Sequence, residues 1–287
     1  MKKILLATDF SERSDRALRR VVLLARQFEA AVQLVHVVDD DQPRRIVDAE
    51  RAGAEELLHE TAATLRRVDG VECHSRVILA APFSGICRVA REIGPDLLVI
   101  GPHRRQMLRD VFVGTTAERT IRAAPCPTLM ANATPAGSYR HILLTTDLSE
   151  GSREALRQFV GSGLGARTRS SLLHVGDAPA LGLAFGYSLP EEDKQEYLSD
   201  ERAGAVRALS GFIESTGLGR VEPLIRHETT PPAQEILKAV AEVKADLLVV
   251  ATHARNALSR HVIGSVTEQV LRTSPVDVLA IPPAPGP

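Results

Sequence analysis

Apolar positions in this chain form two kinds of run, and the alternation between them sets the fold class. Short, near-continuous runs at K3-I-L-L-A-T8, V32-Q-L-V-H-V-V38, V71–L79 and D96-L-L-V-I100 read as strands covered on both faces. Between them lie longer stretches with helical spacing. After D9-F-S-E-R-S-D15, the residues Ala17, Leu18, Val21, Val22 and Ala25 share one helical side. A long charged helix is predicted over residues 43–68, a short one over 83–93, and a fifth strand over 126–131 beside Pro125 and Pro127. This order implies a parallel, doubly wound α/β sheet with right-handed crossovers. Ligands of such sheets sit beyond the strand C-termini. Strands one, two and four end at Asp9, Val37 and Gly101.

The pattern then repeats. K3-I-L-L-A-T-D9-F-S returns as H141-I-L-L-T-T-D147-L-S, and L34-V-H36-V as L172-L-H174-V, both at an offset of 138. D96-L-L-V-I and G114-T return as D246-L-L-V-V and G264-S at an offset of 150. The second copy therefore holds about twelve extra residues, assigned to the Gly- and aromatic-containing stretch G176–P190 around Phe185 and Tyr187. Whether that insert is a lid or an interface stays open. A131-N-A-T-P-A-G-S-Y139 reads as a linker. Two tandem domains are expected, residues 1–134 and 139–287.

The chemistry concentrates after strand four. G101-P-H-R-R-Q-M-L-R-D-V-F-V-G114-T-T-A-E118 and A251-T-H-A-R-N-A-L-S-R-H-V-I-G264-S-V-T-E268 each run from a strand through a loop into a helix opening on Gly plus a hydroxyl residue. Free N–H groups and the helix dipole make that opening a seat for anions. T115-x-x-E118 and S265-x-x-E268 also fit capping boxes, which need no ligand; recurrence of the whole unit favours the functional reading. Asp9 and Asp147, each with Glu three positions on (Glu12, Glu150), are helix caps or ligand contacts. His36 and His174, inside apolar strands, are expected to be satisfied core histidines. His103 and His253 hold equivalent loop positions and serve either phosphate or the loop backbone. Arg104, Arg105 and Arg109 make the first loop cationic.

Composition narrows the partners. A net charge of −1 and 3% aromatic residues give no case for nucleic acid. Cys73, Cys87 and Cys126 form no C-x-x-C, which suits a reduced, cytoplasmic protein. The N-terminal apolar run is too short for a signal sequence, and no window reaches membrane-spanning length, so no membrane partner is expected. G161-S-G-L-G-A166 mimics a dinucleotide fingerprint, but it follows a helix and precedes a strand, so it reads as a helix end and turn. Phosphate-loop, H-E-x-x-H and G-x-S-x-G motifs are absent, and the histidines show no metal-ligand spacing.

The T-D-[FL]-S strand ends, the H-V ends of strand two and the strand-four loops resemble the universal stress protein family in its tandem form, across nearly the whole chain. The resemblance implies two Rossmann-like, adenine-nucleotide α-hydrolase-like domains and a stress-response regulator binding ATP or AMP, with or without Mg²⁺. In nucleotide-binding members the loop reads G-x-x-G-x9-G-[ST]. It implies Asp9 and Val37 near adenine, with Gly101, Gly114 and Thr115 around ribose and phosphates. Asp147, Val175, Gly264 and Ser265 are the second-half counterparts. Arg104, Ala251 and Ala254 replace family glycines. Arginine there either fills the phosphate position or pairs with phosphate, and alanine restricts close backbone approach. Two rival readings remain: an interaction module with vestigial pockets, and a slow ATPase. The resemblance also implies pairing of the fifth strands within the chain, and leaves a homodimer and a protein partner open.

Overall fold

The computed structural model describes residues 1–102, 115–176, 191–227, 230–252 and 263–283, and the side chains of all of these except 191–202. The first half runs β1 (Lys3–Ala7), α1 (Glu12–Phe28), β2 (Ala31–Val38), α2 (Arg44–Arg67), β3 (Cys73–Leu79), α3 (Pro82–Ile93), β4 (Leu97–Ile100), α4 (Thr116–Ala123) and β5 (Thr128–Met130). The second half repeats the order with β6 (His141–Thr146), α5 (Glu150–Ser162), β7 (Arg169–Gly176), α6 (Glu191–Thr216), β8 (Glu222–His227), α7 (Pro232–Val243), β9 (Leu247–Ala251), α8 (Ser265–Thr273) and β10 (Asp277–Ile281).

Strand order is β3-β2-β1-β4-β5-β10-β9-β6-β7-β8, one ten-stranded sheet. Among the described residues every pairing within a half is parallel, and only β5 and β10 meet antiparallel, Leu129 opposite Leu279. Period-two alternation sends Ile4, Leu6, Leu34 and Val99 to one face, against α1, α2, α5 and α6. Leu5, Ala7, Val35 and Leu98 go to the other, against α3, α4, α7 and α8. Both apolar layers pass through the β5–β10 junction, so the halves share one core. The C-cap glycine of α5, Gly163, has a φ of 74°, the left-handed turn expected from G161–A166.

Each half is squared off by one carboxylate at the start of its fourth strand. Asp96 accepts the N–H groups of Lys2 and Lys3, and Asp246 those of Arg140 and His141, fixing β4 against β1 and β9 against β6.

Side chains from distant positions hold the junction of the halves. Asp277, fully buried on β10, accepts from Arg20 Nε at 2.9 Å, the Tyr139 hydroxyl at 2.7 Å and the Ala133 N–H at 2.9 Å. The Arg20 guanidinium also donates to the Gly137 carbonyl and lies 4.0 Å from the centre of the Tyr139 ring. Burial, together with the Asp277 carboxylate, pushes the Tyr139 phenol well above its ordinary value, so it remains a neutral donor. Asn132 donates to the carbonyls of Ser274 and Val276.

Asp277→Ala strands the buried Arg20 charge and should cost about 3–5 kcal/mol, whereas Tyr139→Phe removes one hydrogen bond and should cost about 1 kcal/mol or somewhat more. Urea unfolding of the two variants checks the ranking; equal, small losses would show that the junction does not rest on Asp277.

Candidate functional site

Two cavities open at the C-terminal edges of the strands, one in each half. The first, of about 420 Å³, takes Asp9, Val37 and Gly101 into its wall with His36, Arg13 and Ile86. The second, of about 680 Å³, takes Asp147, Val175, Ala251, Gly264 and Ser265 with His174. Helix α6 closes part of its side through Gly204, Ala205 and Ala208. Strand ends one, two and four do converge in both halves. Arg104, Gly114 and Ala254 lie outside the described residues, as do His103, His253, Arg105, Arg109 and the insert residues Phe185 and Tyr187.

The turn from strand one into the following helix is built on the same plan twice. Phe10 and Leu148 take left-handed backbone conformations, φ 58° and 61°, which side-chain-bearing residues adopt only under constraint. Asp9 supplies that constraint in the first half: Oδ1 accepts from the N–H and hydroxyl of Ser11 and from the buried Ser14 hydroxyl, while its own N–H donates to Ser14 Oγ. Asp147 likewise accepts from the N–H and hydroxyl of Ser149. Behind it, Thr146 Oγ1 meets Ser152 Oγ at 2.9 Å.

Neither aspartate is the helix cap that its spacing to Glu12 or Glu150 suggests. The caps are Ser11 and Ser149, whose hydroxyls accept from the N–H of Ser14 and Ser152. Asp fixes the cap residue from two positions further out. The sequence signal for this arrangement is D-x-S-x-x-S, present at 9–14 and 147–152. Although burial opposes it, the Ser11 and Ser14 hydroxyls and the Ser11 N–H hold the Asp9 carboxyl below its ordinary value, helped by Arg13.

His36 and His174 are satisfied and also face the cavities. Nδ1 of each lies against the carbonyl of the strand-one residue beside it, Thr8 at 2.8 Å and Thr146 at 3.0 Å. A carbonyl only accepts, so Nδ1 carries a proton. Phe10 packs on the His36 ring, centroids 4.5 Å apart.

The helix openings differ between the halves. Thr115 caps α4 in a complete capping box: its hydroxyl accepts from the Glu118 N–H, and Glu118 Oε2 accepts from the Thr115 N–H, both at 3.1 Å. The second box does not form. Gly264 stands at the cap of α8 with no side-chain cap bond, Ser265 is the first helical residue, and Arg272 holds Glu268 at 2.8 Å. Arg272 also reaches across the junction to the buried Glu118, Nε to Oε1 at 2.8 Å.

Gly101 has a packing explanation. A Cβ built there would lie 3.1 Å from the backbone carbonyl group of Arg13 and 3.2 Å from the Ser14 nitrogen, a tight fit against the first turn of α1 that favours glycine whether or not a ligand approaches. The cysteines offer no nucleophile. All three are buried, and burial pushes the thiols of Cys73 and Cys126 up to about 11 and about 12. Among the described residues no cluster of acidic, histidine or cysteine side chains forms a metal site, and no helix is long and apolar enough to cross a membrane.

With this geometry in view, comparison with known proteins decides the family. The universal stress protein family model matches residues 1–132 and again 138–282. The chain belongs to the universal stress protein family. A universal stress protein of Methanocaldococcus jannaschii is 30% identical over 140 residues, covering 45% of this chain and 81% of that protein. A putative universal stress protein of Staphylococcus aureus is 28% identical over 146 residues, covering 50% and 84%. The crystal structure of a universal stress protein from Archaeoglobus fulgidus superposes over 98% of both chains with a TM-score of 0.73 at 18% identity, which establishes a shared tandem fold. Two copies of one family domain account for the recurrence of the T-D-[FL]-S turn in both halves.

A carboxylate whose folded pKa is depressed contributes stability above its unfolded value, near 3.9, and loses it as pH falls through the lower folded value. Asp9→Asn should therefore lower the urea midpoint at about pH 7, and the difference from the parent chain should shrink by about pH 3. A gap that stays constant with pH would show that the Asp9 charge contributes nothing.

Proposed function

We propose that this universal stress protein is a stress-response regulator whose cavities take an adenine nucleotide, ATP or AMP, in at least one half, and whose occupancy biases conformation or a partner. One observation carries the reading. The second cavity brings together a fixed carboxylate, an aliphatic slot and a helix N-terminus, supplied by Asp147, by Val175 with Ile236 and Val250, and by Gly264 with Ser265. A carboxylate accepts from an exocyclic amine, an aliphatic slot takes a flat heterocycle, and the helix opening takes phosphate. Its volume lies within the range of small-ligand pockets. Mg²⁺ would arrive with the phosphates and would be held chiefly by them, in keeping with its reluctance to shed water.

The interaction-module reading draws on one specific observation, the packing demand that accounts for Gly101. A glycine explained by its own fold carries no weight for a ligand, and Ala251 puts a methyl group at the equivalent place. On that reading the folded surface acts alone and the cavities are remnants.

Small molecules released by denaturing freshly purified protein, separated and weighed by mass spectrometry, should include ATP, ADP or AMP near stoichiometric amount. Millimolar Mg-ATP should raise the melting temperature, since a ligand at about a hundred times its Kd adds about 2.7 kcal/mol. Protein that carries no nucleotide and melts at the same temperature with Mg-ATP supports the interaction module instead.

A further inference from the structure

A further cavity, of about 840 Å³ and larger than either strand-end cavity, opens at the opposite edge of the second half, where β7 and β8 begin. β7 is eight residues long, so this cavity lies roughly 20 Å from the strand-end one. One wall is the stretch G161–A166, and the repeat shows how it arises. Ala31 and Arg169 hold equivalent places, opposite Lys3 and His141. α1 runs to Phe28, close to Ala31, whereas α5 stops at Ser162, well short of Arg169. The intervening chain folds into tight turns, the Ala166 N–H donating to the Gly163 carbonyl and the Thr168 N–H to the Gly165 carbonyl. A Cβ at Gly165 would lie 2.8 Å from the buried Phe159 ring, so glycine lets these turns close over that ring.

Arg167, Arg169 and Arg220 line this cavity. Arg169 is paired with Glu222 at 2.8 Å across the starts of the two strands. Arg167 and Arg220 are exposed, and among the described residues neither meets a carboxylate. These two cations belong to the second half alone. Gln33 stands opposite His74 as its counterpart Ser171 stands opposite Glu222, so Glu29 and Glu72 hold the places of Arg167 and Arg220 in the first half. Both charges are therefore reversed between the repeats at one place. Beside the cations, Phe159, Val160, Leu218 and Val221 supply apolar wall. We infer that this cavity is a ligand site separate from the strand-end cavities, and that it takes a small phosphate monoester with an apolar body. Such a group carries about −1.5 to −2 charge at neutral pH, which matches two uncompensated guanidiniums. Their planar forks suit paired hydrogen bonds to its oxygens, and the apolar body fills the space against Val160 and Leu218. The volume is within the range of small-ligand pockets.

Hexyl phosphate is the probe. Calorimetric titration of the full chain should give one equivalent bound, at least about tenfold tighter than inorganic phosphate or hexanol, since each lacks one of the two contacts. In isotopically labelled protein the amides of Gly165, Thr168, Leu218 and Gly219 should shift, with those of Asp147 and Val175 unmoved. Mg-ATP should leave the probe in place. Arg167→Glu with Arg220→Glu, the charges that the repeat carries, should weaken binding by about tenfold or more. Arg167→Gln with Arg220→Gln deletes the charges without reversing them and should act in the same direction. Unchanged melting temperatures verify that both exposed pairs of substitutions leave the fold intact. Equal affinity for inorganic and hexyl phosphate, displacement by Mg-ATP, or undiminished binding in the folded variants would overturn the site. So would retention of the chain by vesicles containing phosphatidic acid with no hexyl phosphate bound in solution, which would mark a membrane-facing cationic surface instead.

Discussion

The antiparallel pairing of β5 with β10 is the constraint on which the rest of the molecule depends. A five-stranded parallel half would end on a three-residue edge strand, Thr128–Met130, with its outer backbone groups unpaired. Here that edge is covered by its own repeat, and both core layers continue across it. Parallel sheets require helices on both faces, and the junction extends this cover without interruption. The Arg20–Asp277–Tyr139 cluster adds specificity to a pairing that main-chain bonds alone would leave free to slip by a register step, because its partners come from α1, β10 and the linker at once. Whether a buried charge pair stabilises relative to an apolar replacement is a separate matter from whether losing one member is harmful.

The junction also reaches the candidate site. Arg272 lies on the helix that follows the second loop, Glu118 on the helix that follows the first, and their contact joins the two helix openings across the middle of the sheet. Repetition supplies two copies of each strand end and of the D-x-S-x-x-S turn. The antiparallel junction then places α4 and α8 close enough for one residue to act in both. Asymmetry arises at that point through a single step in where the helix begins: Thr115 precedes its helix, and Ser265 is inside its own.

Much of the architecture was legible in the chain because strand runs buried on both faces are continuous and because the repeat offsets are visible. The convergence of Asp9, Val37 and Gly101, and of their counterparts, followed from topology. The capping assignments did not. Asp9 and Glu12 have the spacing of a capping box, but spacing cannot tell a cap residue from the residue that braces the cap, and Ser11 with Ser14 decided it. Likewise S265-x-x-E268 has the spacing of T115-x-x-E118, yet α8 starts at Ser265 itself, so Gly264 stands at the cap and Glu268 turns to Arg272. Arg20 reads as one more charge on an amphipathic helix until Asp277 is brought to it from 257 positions away. Gly101 shows the converse error: a motif glycine that the close packing of α1 favours on its own account.

The central claim is that a strand-end cavity takes an adenine nucleotide with its phosphates at a helix opening. Titration of isotopically labelled protein with Mg-ATP, followed through backbone amide resonances and their hydrogen exchange, reads this at single residues. The account predicts that the amides lining at least one cavity shift and gain protection: Asp147, Val175 and Ser265–Thr267 in the second half, or Asp9, Val37, Thr116 and Ala117 in the first. No shift in either cavity would contradict it.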